Sequence, residues 1–505
     1  MIGVDDNNKK VNYSNRFTII LAIAIITNLA FYWLPDSIFG ISVKKVDLLS
    51  DIRVYPEDNT NDLLALTEEP EDEAVNEADQ ATNDPDPETS SNDNTQQNIA
   101  EEENSVAGET DGVDNAAKAN TYEEEKNNTS YLHNTDIEDF TSGNTGLSRF
   151  FAALNNINNL GRPVRIAFAG DSFIEGDILV ADFRAKMQEL YGGKGIGFIP
   201  ITSNVAQFRT TIKQSANGWN TYSIVKNRNR HYVISGMEFE PSSENASVNI
   251  QTSNLYPGLD EVHSLKFIYS KNEKTNILLK SDTDTATYEL PSTESVTQYE
   301  IKSRFTKGTL QLQNSRGLNA IGMAIEDNSG VIVDNLALRG NSGIIMSDLD
   351  RKSCRELQHI RPYDLIVLQY GLNVASDSVL DYGWYRNSMV PVVEHIQNCF
   401  PGADILILGV SDRSHKDGNT YKTMPAILSL LRAQRQTAIK TEVTFWSTFA
   451  AMGGQNSMIK YVDSNWASKD YTHLSFRGGR EVANALFEAI VNKKNMHDND
   501  EEIAE

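Results

Sequence analysis

Hydrophobic patterning changes character four times along the chain. Residues 17–34 form one nearly unbroken apolar run, interrupted only by Thr18, Thr27 and Asn28. At about 1.5 Å of rise per residue, a helix of that length spans one bilayer. A long polar tract without periodicity follows. Ordered patterning resumes near Asp136 with a helical lead-in over 137–159, where Phe140, Leu147, Phe150, Phe151 and Leu154 share a face. Val164, Ile166 and Phe168 then mark a strand that breaks at Gly170. A helix over 178–191 carries Leu179, Phe183, Met187 and Leu190 at helical spacing.

From about 204 to 328 the period becomes two. Candidate strands lie at 231–240, 247–251, 264–269, 276–281, 286–290, 298–302, 309–313 and 320–326, separated by turn residues as in a β-sandwich. The α/β pattern then returns. Strands at 331–338, 364–370, 403–410 and 442–446 alternate with helices at 348–360, 385–399 and 426–440. A closing helix at 477–492 has Val482, Leu486 and Ile490 on one face. The 364–370 strand is almost wholly apolar, as expected of a parallel strand buried on both sides. The pattern predicts an α/β fold: a doubly wound parallel sheet with a β-sandwich inserted after its first βα unit.

The chain has 505 residues and a formal net charge of −25. Much of that charge sits between residues 57 and 125, in a tract of Asp, Glu, Asn, Thr and Ala. Such composition buries too little apolar surface to offset ordering entropy, and its like charges extend it, so it reads as a disordered tether. The acidity argues against nucleic-acid binding, which needs a basic face. Lys9, Lys10 and Arg16 precede the apolar run and place the N-terminus in the cytoplasm, whereas Lys44 and Lys45 behind it weaken that bias. A cleaved signal peptide is the alternative. The run is long for one and no small-x-small site follows, which favours an uncleaved anchor.

The expected organisation is a cytoplasmic segment (1–16), a transmembrane anchor (17–35) and an acidic linker (36–135). The first part of the α/β body (136–203), the inserted sandwich (204–330), the second part of the body (331–493) and an acidic tail (494–505) follow.

Two cysteines, Cys354 and Cys399, stand outside any CxxC or Cys/His cluster, so no zinc site is expected. An oxidising compartment would pair them, and a reducing one would leave two buried thiols. The run 192–197 (Gly-Gly-Lys-Gly-Ile-Gly) lacks the Walker spacing and the Ser or Thr after its Lys, so it reads as a turn. Trp219, Tyr222, Tyr232 and Tyr256 in the insert are candidates either for stacking on sugars or for ordinary packing.

Four short blocks carry candidate chemistry: Gly170-Asp171-Ser172, Gly340, Gly371-Leu372-Asn373, and Asp470-Tyr471-Thr472-His473. Each falls at a strand end or late loop, so parallel strands would bring all four to one sheet edge. Alone, each is an ordinary turn or cap sequence. Together they supply a nucleophile (Ser172), a general base (His473) and a carboxylate to orient it (Asp470). The Ser172 and Gly340 backbone N–H groups and the Asn373 side chain would donate to a developing oxyanion.

In order and placement the blocks resemble those of the SGNH hydrolase superfamily, the GDSL esterases and lipases, over roughly 162–204 and 330–492. Gly176-Asp177, Tyr370-Gly371-Leu372-Asn373, Thr472-His473-Leu474-Ser475 and the 204–328 insert are similar to the narrower group of bacterial peptidoglycan O-acetylesterases. Two positions depart from that group's pattern: Phe173 stands where His is frequent, and Val374 where Asp or Glu often follows Asn. Phe173 and Glu175 are therefore where substrate choice is expected to be set.

The resemblance implies a flavodoxin-like sheet and a carboxylic ester hydrolase that works through an acyl-serine. It implies no metal or organic cofactor, and a substrate such as acetylated peptidoglycan or another envelope polysaccharide. With the anchor, it implies a single-pass membrane protein whose catalytic body is periplasmic or extracellular. Two alternatives are O-acetyl transfer to a sugar hydroxyl by the same residues, and a non-catalytic wall-binding protein.

Overall fold

The computed structural model describes residues 129–504, with side chains as far as 500, and separately a two-residue strand pair, Ser37–Ile38 with Ile41–Ser42. The expected anchor and most of the expected linker lie outside the described residues. Order begins before 136, because Tyr131 is buried and the Arg435 guanidinium lies over its ring at 5.3 Å.

Five parallel strands form the central sheet. They are β1 (Val164–Gly170), β2 (Val331–Ala337), β3 (Leu365–Gln369), β4 (Asp404–Gly409) and β5 (Thr444–Ser447). Their order is β2-β1-β3-β4-β5, with the short strand Glu138–Asp139 antiparallel to β5. That order is the flavodoxin-like one, whose switch point lies between β1 and β3. Every residue of β1, β3 and β4 is buried, as strands covered by helices on both faces must be.

The helical lead-in is shorter than its periodicity predicts. Only Ser148–Asn155 is α-helical, with a short 3-10 turn at Ser142–Asn144 before it. Upstream, the Asp139 carboxylate accepts from Thr141 N at 3.0 Å, Thr141 Oγ1 at 2.7 Å and Gly146 N at 3.1 Å. These bonds give the backbone of a Thr-Ser-Gly-Asn-Thr-Gly run an alternative to a helix. At the other end, the closing helix Phe476–Ala504 runs on through the segment expected to be a tail. Among the described residues, no helix is long and apolar enough to cross a membrane.

The insert is a sandwich. One sheet orders Thr297–Ile301, Leu265–Lys271, Asn319–Ile325, Met237–Pro241 and Trp219–Ser223, with Gly197–Ile199 paired to Asn319–Ile325. The other orders Thr285–Leu290, Thr275–Ser281, Lys307–Gln313, Ser247–Thr252 and Ile212–Asn217. Phe239, Val248, Ile250, Phe267, Ile277 and Leu310 pack between them. Ile212–Asn217 and Trp219–Ser223 are strands that periodicity misses, because so few of their residues are apolar. The four candidate sugar-stacking aromatics have structural partners. Tyr232 is fully buried, Trp219 Nε1 donates to Ser247 O at 3.1 Å, Tyr222 lies under Arg230, and Tyr256 OH donates to Asp182 at 3.1 Å.

A buried ionic cluster fastens sandwich to sheet. Glu326 Oε1 accepts from Arg165 at 2.7 Å and Lys266 at 2.8 Å, and its Oε2 lies 2.6 Å from Arg361. Arg361 also binds Asp334 on β2, which takes Tyr363 OH at 2.8 Å and Phe198 N at 2.8 Å. Burial works against the charge on Glu326, but Arg165, Arg361 and Lys266 together hold it well below the usual carboxylate range. Cys354 and Cys399 are both buried and free.

Candidate active site

Gly170 ends β1, and the chain turns at once through Asp171 and Ser172. Asp171 N donates to Gln369 O on β3 at 3.2 Å, so this turn sits over the switch point. Leu338 N, just past β2, donates to Gly170 O at 2.8 Å and brings the Arg339-Gly340 turn alongside. Gly340 has φ +72°, and a Cβ there would meet nothing within 4 Å. Backbone conformation, not crowding, is therefore what calls for glycine at this position. Gly371 has φ +118°, and a Cβ there would meet Gln434 Nε2 at 2.7 Å. Conformation and space both select glycine at the head of the third block.

The last block closes the site from the far end of the chain. Ser172 Oγ lies 3.4 Å from His473 Nε2, and His473 Nδ1 lies 2.6 Å from Asp470 Oδ2. The first contact is longer than the roughly 2.6–3.2 Å of an engaged pair, and such contacts tighten when substrate binds. Asp470 is itself fixed: its Oδ1 accepts from Ser468 Oγ, from Thr472 N at 2.9 Å and from His473 N at 3.1 Å. Burial alone would raise the Asp470 carboxyl. The hydrogen bond and charge of His473 and the Ser468 hydroxyl outweigh it and bring the pKa down to about 2.

Asn373 Nδ2 donates to Asp171 Oδ2 at 3.0 Å and to Asn341 O at 3.1 Å, which holds the amide beside Ser172. No acceptor among the described residues takes the backbone N–H of Ser172 or of Gly340. The structure thus brings Ser172, Gly340, Asn373, Asp470 and His473 to one sheet edge. A serine oxygen beside an imidazole, with two uncommitted N–H donors close by, can attack a carbonyl and receive the charge that develops.

No protein-family model and no curated protein matches this chain. Solved structures do. A peptidoglycan O-acetylesterase aligns with a TM-score of 0.59 at 20% identity, covering 71% of this chain and 99% of that one. The chain shares the fold of that structure. A family two carbohydrate esterase from Cellvibrio japonicus (TM-score 0.24, 11% identity, 56% of this chain and 98% of that one) and an acetyl xylan esterase (0.25, 17%, 32% and 81%) also match, at scores that add nothing to the fold.

Several residues that shape this site escape sequence reasoning. Asp171 is buried, and burial pushes its carboxyl up to about 7 against the hydrogen bond from Phe173 N and the charge of His473. Gln434 bridges Tyr370 O at 2.7 Å and Val410 N at 2.8 Å and so braces the third block. Gln434 belongs to no motif, and Asp171 lies in the first block without a role assigned from sequence; burial is what reveals both.

Glu175 and Phe173 part company. Glu175 Oε2 pairs with Arg339 at 2.5 Å beside the site, and burial raises its carboxyl despite that arginine. Phe173 points into the hydrophobic core and is 3% exposed, so it does not face a substrate. Asp177 is a fastening, too: it binds Arg184, Arg209, Thr211 and Asn335, tying the Ser172 loop to the start of the insert.

Proposed function

We propose that this protein is a serine carboxylic-ester hydrolase that removes acetyl groups from an envelope glycan, peptidoglycan foremost. The observation that carries this reading is the Ser172–His473–Asp470 chain of contacts at 3.4 Å and 2.6 Å, set beside free backbone donors. The substrate class draws support from the shared fold with a peptidoglycan O-acetylesterase over 71% of this chain.

In this reading Ser172 Oγ gives its proton to His473 Nε2 and attacks the ester carbonyl carbon. Asp470 stabilises the imidazolium that results. The tetrahedral oxyanion accepts from Ser172 N, Gly340 N and Asn373 Nδ2, where it competes with Asn341 O for one amide proton. Collapse passes the proton from His473 to the departing sugar oxygen and leaves an acyl-serine. A water molecule, deprotonated by His473, then releases acetate and restores Ser172. Residues 17–35 would anchor the protein in a membrane, and the acidic linker would let the body reach the wall.

Acetate release from O-acetylated peptidoglycan and from an aryl acetate tests the reading. Wild type is expected to release acetate from both and Ser172→Ala from neither. Release only when a sugar acceptor is acetylated in exchange would identify a transferase. No release from any acetyl ester by a folded protein would reject the hydrolase.

A further inference from the structure

Between β4 and the helix Pro425–Thr441, the chain makes an antiparallel hairpin, Ser414–Asp417 paired with Thr420–Thr423. Periodicity gives no sign of it. Its base is held by both functional loops. Ser414 N donates to Tyr471 O at 3.0 Å, Arg413 Nη1 donates to Leu372 O at 3.5 Å, and His415 Nδ1 lies 2.6 Å from Asp377 Oδ1. The hairpin therefore stands at the rim of the site, between the block that holds Asn373 and the block that holds His473.

Its outer strand presents Tyr421, one of few large hydrophobic side chains exposed among the described residues, at 38%. The Tyr421 ring lies flat on Tyr471, with centroids 3.7 Å apart and planes 12° from parallel. Tyr471 directly follows Asp470 and comes two residues before His473.

Two features of this stack run against local preference. Aromatic pairs favour offset or edge-to-face geometries with centroids about 4.5–7 Å apart, and this pair is nearly face to face. Tyr471 also holds φ at +58°, the left-handed region that bulky residues avoid. Tyr471 is partly buried and packs against the main core, whereas Tyr421 is exposed, so core packing accounts for the backing ring but not for the ring stacked on it. What the arrangement yields is a flat, braced aromatic face with two phenolic hydroxyls, carried by the block that holds Asp470 and His473. A pyranose ring offers the complement: an apolar face of C–H groups edged by hydroxyls.

We propose that Tyr421, backed by Tyr471, is a sugar-stacking subsite for the glycan whose ester Ser172 attacks. This rests on the glycan-ester reading above. The ring on Tyr421 is a neighbour of the acetylated sugar in the same chain, because the acetylated sugar itself must occupy the mouth at Ser172. The hairpin, not the β-sandwich, then supplies the polysaccharide contact.

Binding of a chitin-type N-acetylglucosamine oligosaccharide to the full-length protein, measured by titration calorimetry, tests the proposal without requiring turnover. We expect Tyr421→Ala to weaken binding by about five- to tenfold, the usual worth of an aromatic contact, and Tyr421→Phe to restore it. In parallel, the ratio of kcat/KM on O-acetylated peptidoglycan fragments to kcat/KM on aryl acetate should fall by a similar factor in Tyr421→Ala. Saccharide binding that ignores Tyr421, or no binding by wild type, overturns the subsite. An equal loss on both esters overturns it as well, because that pattern marks a merely structural hairpin. Failure of wild type on aryl acetate would instead reject the hydrolase reading, so the two failures are distinct.

Discussion

Asn373 Nδ2 donates to Asp171 Oδ2 at 3.0 Å, across 202 residues of sequence. The bond joins the residue before the candidate nucleophile to the candidate oxyanion donor, so two strand ends are fixed against each other before substrate arrives. It is made by a buried carboxyl that burial pushes up to about 7.

Asn373→Ala should therefore lower kcat by about 10²–10³-fold, as loss of one oxyanion donor does. KM should move little, because the contact strengthens only as charge develops. Asp171→Ala leaves the amide in place, held only by Asn341 O, and its loss in kcat should be smaller. Steady-state kinetics on an aryl acetate separates the two. Equal losses in kcat and rises in KM for both variants would mean a misfolded loop instead.

Asp470→Asn should lower kcat by about 10³–10⁴-fold while preserving shape, because the amide cannot stabilise an imidazolium. A second readout follows from its pKa. Asp470 is depressed to about 2 from an unfolded value near 3.9. Its contribution to stability is complete above about pH 4 and is lost as pH falls toward about 2. Thermal melts over that window should show a shallower acid decline for Asp470→Asn than for wild type.

Glu326 offsets three buried cations, Arg165, Lys266 and Arg361. Glu326→Ala would take this carboxylate from Arg165 and Lys266 and leave Arg361 with Asp334 alone, where sandwich meets sheet. A loss of about 3–5 kcal/mol is expected, the scale for breaking a buried pair. Denaturant unfolding measures it, and a change under about 1 kcal/mol would mean that water reaches the cluster.

Phe173 is 3% exposed and packs in the main core. Phe173→Ala should destabilise by about 3–5 kcal/mol. Its relative rates on acetyl, propionyl and butyryl esters should match wild type. A shifted acyl preference would show that the position does face the substrate.

How much of this was readable from sequence depends on the kind of interaction. The parallel strands were legible because a strand buried on both faces is apolar throughout, as in 365–369. The meeting of Ser172, Asn373, Asp470 and His473 at one sheet edge was legible because these residues sit at strand ends and late loops. The hairpin at 414–423 was not, since its outward residues are polar and its docking runs through backbone atoms of Tyr471 and Leu372. Phe173 was misjudged for a related reason. Its neighbour in sequence is the candidate nucleophile, but Phe173 is buried in the core while Ser172 reaches His473, and no periodicity records that. Asp171, Gln434 and the Glu326 cluster are polar residues whose importance comes from burial, and burial of a polar side chain leaves little trace in a hydrophobic pattern.

The most direct measurement is the site of attack by a fluorophosphonate, which labels a serine only when a base activates it. Peptide mapping of the labelled, folded protein should find one adduct, on Ser172. The adduct should be absent in Ser172→Ala and should form far more slowly in His473→Ala. A folded protein that leaves Ser172 unlabelled, or labels it equally fast without His473, would contradict its assignment as an activated nucleophile.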